Sequence, residues 1–156
     1  MPRLLTALIA VFDLENARAV ISAVNRVVST DGSSAYELQT WSDASAFAAG
    51  TAGVRQGARP QSVAMELFTV SPNGDLYTVQ VAAWNPGYYE VFRYRDAFDF
   101  VANNNTVIGV ATHAGVLAGV TFDADGRFFA IQDTTVGPGS RTYRVTRWAS
   151  ILDFIY

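Results

Sequence analysis

Lysine and cysteine are both absent from this 156-residue chain, and histidine occurs once, as His113. Without cysteine there is no disulfide, no thiol nucleophile, no thiolate zinc site and no iron–sulfur cluster. Without lysine there is no Schiff base and no P-loop phosphate clamp. A lone histidine excludes a multi-histidine metal cluster, and no Gly-x-Ser-x-Gly elbow surrounds any serine. Charge is scarce as well, at 16% of residues against about 25% in ordinary domains. The net charge is −3, and the cations, all Arg, form no basic block. Arg93-Tyr94-Arg95 comes nearest, with Arg141, Arg144 and Arg147 scattered through the last strand. This is no electrostatic footprint for nucleic acid. No apolar run approaches the ~18 residues of a membrane span.

Apolar residues are abundant, at 50% of the chain, so the composition is that of a globular protein. The length fits one domain over residues 1–156, and a chain of ~150 residues buries ~70% of its unfolded surface. Low charge on so small a surface suits either a Ser/Thr/Asn-rich β protein or a face covered by other subunits. Met1-Pro2-Arg3 before Leu4–Phe12, with Ala17-Arg18-Ala19 beyond, resembles a secretory signal. The apolar run is short, however, and Asp13 and Glu15 interrupt it, so the segment is read as structure. With no clear signal peptide, the default expectation is the cytoplasm.

Leu4–Phe12 has the length and composition of a buried strand. Asp13 then offers an N-cap, and Leu14, Ala17, Ile21, Val24 and Val28 follow at spacings of three and four. That spacing predicts a helix over 14–28. Ala35–Trp41 reads as a strand, Ser42–Ala49 as two helical turns, and the Gly- and Arg-containing stretch to Gln61 as an exposed loop.

From Val63 the pattern becomes hairpins, and a segment echoes itself. Phe68–Gln80 (FTVSPNGDLYTVQ) recurs 52 positions on as Val120–Gln132 (VTFDADGRFFAIQ). Thr69/Thr121, Gly74/Gly126, Gln80/Gln132, Pro86/Pro138 and Gly87/Gly139 are identical pairs at that spacing. A fixed period points to one supersecondary unit used more than once. Each copy reads as a three-stranded meander: 63–71, 75–83 and 88–95, then 116–122, 127–133 and 141–148. A short helix follows each, at 96–101 and 149–156, and 106–112 is one more strand between the copies. A fainter echo at 107 positions links Gly32, Ser33, Tyr36, Trp41 and Phe47 to Gly139, Ser140, Tyr143, Trp148 and Phe154. It would make three units, but the helix expected at 14–28 argues against a strict third copy.

The hairpins SPNGDLYTV and FDADGRFFAI resemble the turn-plus-strand signature in blades of many β-propellers, including tachylectin-like lectins. The resemblance covers about thirteen residues per copy and implies a carbohydrate-binding or interaction scaffold. A propeller takes at least four blades, so two or three repeats would be completed by another chain.

The chemistry-bearing residues have plainer readings. His113, beside Thr112 and Ala114-Gly115, reads as a turn residue. Asp123-Ala-Asp125-Gly126 matches a fragment of a calcium loop, but Arg127 stands where a ligand belongs, and a β-turn suffices. Asp96 and Asp99 at spacing three suit acid–base work, yet Asp96 is better explained as a helix N-cap. Aromatics form the largest constellation: Trp84, Tyr88, Tyr89, Phe92 and Tyr94 in one meander beside Arg93, Tyr143 and Trp148 in the other, with Tyr36 and Trp41. These can stack on sugar rings or anchor an interface. Because strand neighbours face opposite ways, one of Tyr88 and Tyr89 is expected at the surface.

The sequence therefore predicts an α+β domain, mainly antiparallel sheet from duplicated three-stranded meanders with an N-terminal helix. The alternative is an all-β chain of propeller-like blades. The expected function is a non-catalytic binding or assembly module that self-associates or meets a protein partner. Its contact residues are Trp84, Tyr88, Tyr89, Arg93 and Tyr94, with the 50–61 loop. No cofactor, metal, nucleic acid or membrane is expected. The competing readings are a lectin-like module for a neutral sugar and a small-molecule sensor or enzyme using Asp96, Asp99 or His113.

Overall fold

A computed structural model describes residues 3–13, 18–28, 30–60, 67–112, 116–135, 137 and 140–156. The fold is β-rich: the described residues form three antiparallel sheets and three short helices. Sheet A is β1 (Arg3–Asp13), β2 (Arg18–Val28), β3 (Ser34–Trp41) and β4 (Val54–Pro60), paired in that order. Sheet B is β5 (Leu67–Val70), β6 (Leu76–Ala82), β7 (Asn85–Tyr94) and β8 (Thr106–Thr112), and sheet C is β9 (Val116–Phe122), β10 (Phe128–Asp133) and β11 (Tyr143–Trp148). Helices α1 (Ala44–Ala48), α2 (Ala97–Val101) and α3 (Ile151–Ile155) each follow the third strand of their sheet.

The helix expected over 14–28 is not formed: 18–28 is β2, held between β1 and β3, and 14–17 lie outside the described residues. The reason is burial on both faces. Ser22, Ala23, Val24 and Asn25 are all buried, so the strand shows no apolar/polar alternation, and a spacing of three and four arises by accident. Its β-branched Val and Ile fit a pleated sheet better than a helix. Asn25, polar and buried, donates from Nδ2 to Gln39 Oε1 at 3.3 Å.

The loop expected to Gln61 is likewise strand β4 over 54–60, paired to β3 through its backbone; Gln61 lies outside the described residues. As an edge strand with Val54, Arg55 and Gln56 exposed, it carries little hydrophobic signal. The strand expected at 106–112 forms as β8, and it joins sheet B beside β7, making four strands. His113 and three residues of the 136–139 turn lie outside the described residues.

The Pro72-Asn73-Gly74 turn spans three residues, with Gly74 N–H donating to Ser71 O at 2.9 Å and Ser71 N–H to Asp75 O at 2.9 Å. Only Gly74 takes positive φ, at 88°, and Gly126 does the same at 80° in the β9–β10 turn. Both are type I turns closed by a left-handed glycine. The helices are capped alike: Asp43, Asp96 and Ser150 accept the N–H three residues on.

The sheets stack face to face. One core unites Val24, Tyr36 and Leu38 of sheet A with Phe68, Leu76 and Tyr94 of sheet B and Phe100 of α2. The other unites Tyr77, Val79, Tyr89 and Val91 of sheet B with Leu117, Phe128 and Ala130 of sheet C and with Ile151, Phe154 and Ile155 of α3. Each junction is locked by a helix over the preceding sheet's last strand, α2 on β4 and α3 on β8. A glycine makes room for it. A Cβ at Gly57 would lie 2.6 Å from Val101 Cγ2, and one at Gly109 would lie 2.3 Å from Ile155 Cγ2.

Candidate functional site

Three surfaces are candidates. The first is a cleft of about 450 Å³ between sheets B and C, within the usual range for small-molecule sites. Tyr77, Ile108, Phe122 and Ile151 form its walls, with Arg93 and Asp125 among its polar groups. Tyr77 and Phe122 meet at 5.2 Å between ring centroids. Burial, and then the neighbouring Asp75 carboxylate, pushes the Tyr77 phenol above its ordinary range, so it stays a neutral donor. Arg93 reaches Asp75 through Nη2 at 2.6 Å and Nε at 2.8 Å, which fixes its guanidinium on the rim. On the opposite rim, Asp123 accepts from the backbone N–H of Asp125 and Arg127, and Arg127 pairs with Asp125 at 2.6 Å. Those carboxylates serve their own turn.

The second is a polar notch of about 300 Å³ beside α2, lined by Arg93, Arg95, Asp99, Asn104, Asn105 and Thr106. Asp99 is buried, receives Arg95 Nε at 2.7 Å, and is held below the usual carboxylate range chiefly by that bond. Asp96 caps α2 by accepting from Asp99 N–H at 2.8 Å. Both side chains are engaged in holding the start of α2.

The residues expected from sequence to form one contact surface are dispersed. Trp84 is 63% exposed in the β6–β7 turn, lies 4.8 Å from the Tyr88 ring, and donates from Nε1 to Glu90 at 3.3 Å. Tyr89, its strand neighbour, is buried, and its hydroxyl accepts from Leu117 N–H at 3.1 Å, tying sheet B to sheet C. Tyr94 is buried too, its hydroxyl bonded to Arg59 Nη1 at 2.6 Å. Arg93 pairs with Tyr77 across the sheet, at the opposite end of the β6–β7 hairpin from Trp84. Trp84 and Tyr88 thus make a small aromatic edge, while Tyr89 and Tyr94 belong to the two cores.

Of the third surface the sequence pointed only to Tyr143. Ile131, Tyr143 and Val145 lie on one face of sheet C, exposed by 41%, 52% and 66%, with Ile131 and Val145 directly paired. Val91 occupies the matching place in sheet B, three residues before the strand-ending aromatic and paired with Val79; Leu38, paired with Val24, occupies it in sheet A. Tyr89 and Tyr36, five residues before that aromatic, match Tyr143. All six counterparts are buried to 3% exposure or less. At the other end of the stack, α1 buries none of its residues. Phe47 is half-buried, while its counterparts Phe100 and Phe154 are buried in cores. The signal was present in sequence as the 107-position echo.

No family model matches the chain, and comparison with curated proteins and with solved structures likewise finds no match.

Proposed function

We propose that this protein is a non-catalytic assembly module, oligomeric in solution, built from a three-strand-plus-helix unit used three times in propeller-like succession. The observation that carries this reading is the exposure of Ile131, Tyr143 and Val145 at places whose counterparts in sheets A and B are buried. Exposed β-branched and aromatic residues directly paired on a sheet face mark a contact surface. The repeated unit is supported by the strand order, by the three matching caps and by the glycine-seated helices. The non-catalytic reading is supported by Asp96 and Asp99, one engaged as a cap and the other in an ion pair. The solution mass tests it, by light scattering on a sizing column. A mass above the 16.9 kDa of one chain that persists on dilution is expected. A clean monomer overturns the reading.

A second reading is favoured by the cleft. Its Tyr77 and Phe122 rings, with Arg93 and Asp125 among the lining groups, suit a neutral ring-shaped ligand bearing hydroxyls, as in a lectin-like module. Thermal shifts over a panel of neutral sugars, repeated with Tyr77→Ala, separate it from assembly.

A further inference from the structure

We infer that the partner is a second copy of this chain, docked head to tail so that the Trp41–Phe47 end of one copy covers the Ile131–Tyr143–Val145 face of the other. The inference rests on the assembly reading above and names its partner.

The chain itself shows what covers such a face. Tyr36 and Leu38 of sheet A are covered by sheet B and the Phe100-bearing helix α2; Tyr89 and Val91 of sheet B are covered by sheet C and the Phe154-bearing helix α3. Both junctions place a face against a helix-bearing side, and neither places like against like. The face left bare on sheet C therefore calls for a side that carries a strand-ending aromatic and a helix with a phenylalanine six residues on. Among the described residues that side exists once more. Trp41 meets Phe47 at 5.1 Å and 84°, the values found for Trp148 and Phe154 at the B–C junction. Its helix is the one that buries nothing. Donor and acceptor surfaces thus occur at opposite ends of one stack, which is the heterologous arrangement that closes into a ring or grows into a fibre.

The number of copies follows from sheet count. The stack is an open arc: β1 lies against β5 and β5 against β9, but among the described residues β9 makes no comparable contact with β1. Rings of radially arranged sheets hold roughly four to eight. The three sheets of the described residues make three, six or nine, and only six falls in that range, so two copies close the ring. Closure also hides both bare surfaces, as a soluble assembly requires.

The test is light scattering and sedimentation on the full chain and on two single variants at opposite ends, Val145→Glu and Ala48→Arg. Both positions are exposed, so circular dichroism should match the parent, and each variant should melt as the parent does when diluted below its association range. Ala48 stands in α1 where Val101 stands in α2 and Ile155 in α3, and because sheet C has no fourth strand it would face β11 across the proposed junction. The expected result is a parent of twice 16.9 kDa, with each variant weakening association about a hundredfold or more, since a buried unpaired charge is costly. Mixing the two variants should restore one intact junction and recover a heterodimer. A dimer broken by Val145→Glu but untouched by Ala48→Arg means face-to-face pairing and overturns the inference. A multimer indifferent to both, or one that grows past two copies, also overturns it while leaving the assembly reading standing. A parent monomeric at all concentrations removes both.

Discussion

The indole of Trp148 meets the ring of Phe154 edge-on, with centroids 5.1 Å apart and planes at 84°. Six residues separate the two in sequence, with the Ser150 cap between them. Trp41 with Phe47 and Tyr94 with Phe100 repeat that spacing, the last pair at 5.3 Å and 71°. In each case the aromatic ends a strand, the cap turns the chain, and the phenylalanine folds back on the aromatic. Such an edge-to-face pair contributes about 0.5–1.5 kcal/mol beyond its burial.

Phe128 links this pair to the turn below it, since its ring lies 4.8 Å from Phe154 and 5.2 Å from Phe122. It is fully buried. Phe128→Ala should cost about 3–5 kcal/mol in urea-induced unfolding, whereas Val145→Ala, on the bare face, should cost below about 0.5 kcal/mol in the monomer. Equal costs would mean that the B–C core does not hold the chain together.

Gly109 is where α3 comes closest to sheet B. A methyl group there would meet Ile155 Cγ2 at 2.3 Å, so Gly109→Ala should destabilise by about 1–3 kcal/mol through overpacking. The double variant Gly109→Ala with Ile155→Ala should recover part of the steric loss, and a thermodynamic cycle reads the coupling. Strict additivity would contradict the contact.

Arg59 joins β4 to sheet B and the α2–β8 turn. Its Nη1 donates to Tyr94 Oη at 2.6 Å and to Asn103 Oδ1 at 2.5 Å, while its guanidinium lies 4.5 Å from the Phe100 ring centroid. Arg59→Met keeps the stem and removes those bonds, so a loss of about 2–3 kcal/mol is expected. Arg59→Lys should recover little, because an ammonium lacks the planar fork. Chemical denaturation of both variants checks this.

Asp99 makes stability pH-dependent. Its hydrogen bond from Arg95 depresses the folded-state pKa below the usual carboxylate range. The unfolded chain therefore takes up this proton first as pH falls, and the stabilisation, fully present above about pH 4, is lost as pH drops through the depressed value. Asp99→Asn should shallow the acid limb of a melting-temperature profile and leave the slope above neutrality unchanged. An unchanged acid limb would remove Asp99 from acid unfolding.

Hairpins were legible because their turn chemistry is local. Glycine adopts φ of 80–88° at Gly74 and Gly126 without a Cβ penalty, so these turns are marked whatever surrounds them. The helix starts at Asp96 and Ser150 are local in the same way, since each side chain reaches an N–H three residues on. Strand β2 was not legible, because Ser22, Ala23, Val24 and Asn25 are buried on both faces and lose the alternation that marks a strand. Strand β4 escaped notice for the opposite reason, its polar edge carrying almost no apolar pattern. Of the contact residues read from sequence, Trp84 and Tyr88 lie together, while Tyr89 and Tyr94 fall into cores.

Turns and helix caps are written locally, in Gly74, Gly126, Asp96 and Ser150. Which faces are covered depends on how the sheets pack on one another. Tyr36, Tyr89 and Tyr143 stand five residues before a strand-ending aromatic, yet Tyr36 and Tyr89 are buried and Tyr143 is 52% exposed. Their local sequence cannot distinguish them, because dihedral preference belongs to the residue while burial depends on whether another sheet lies on top.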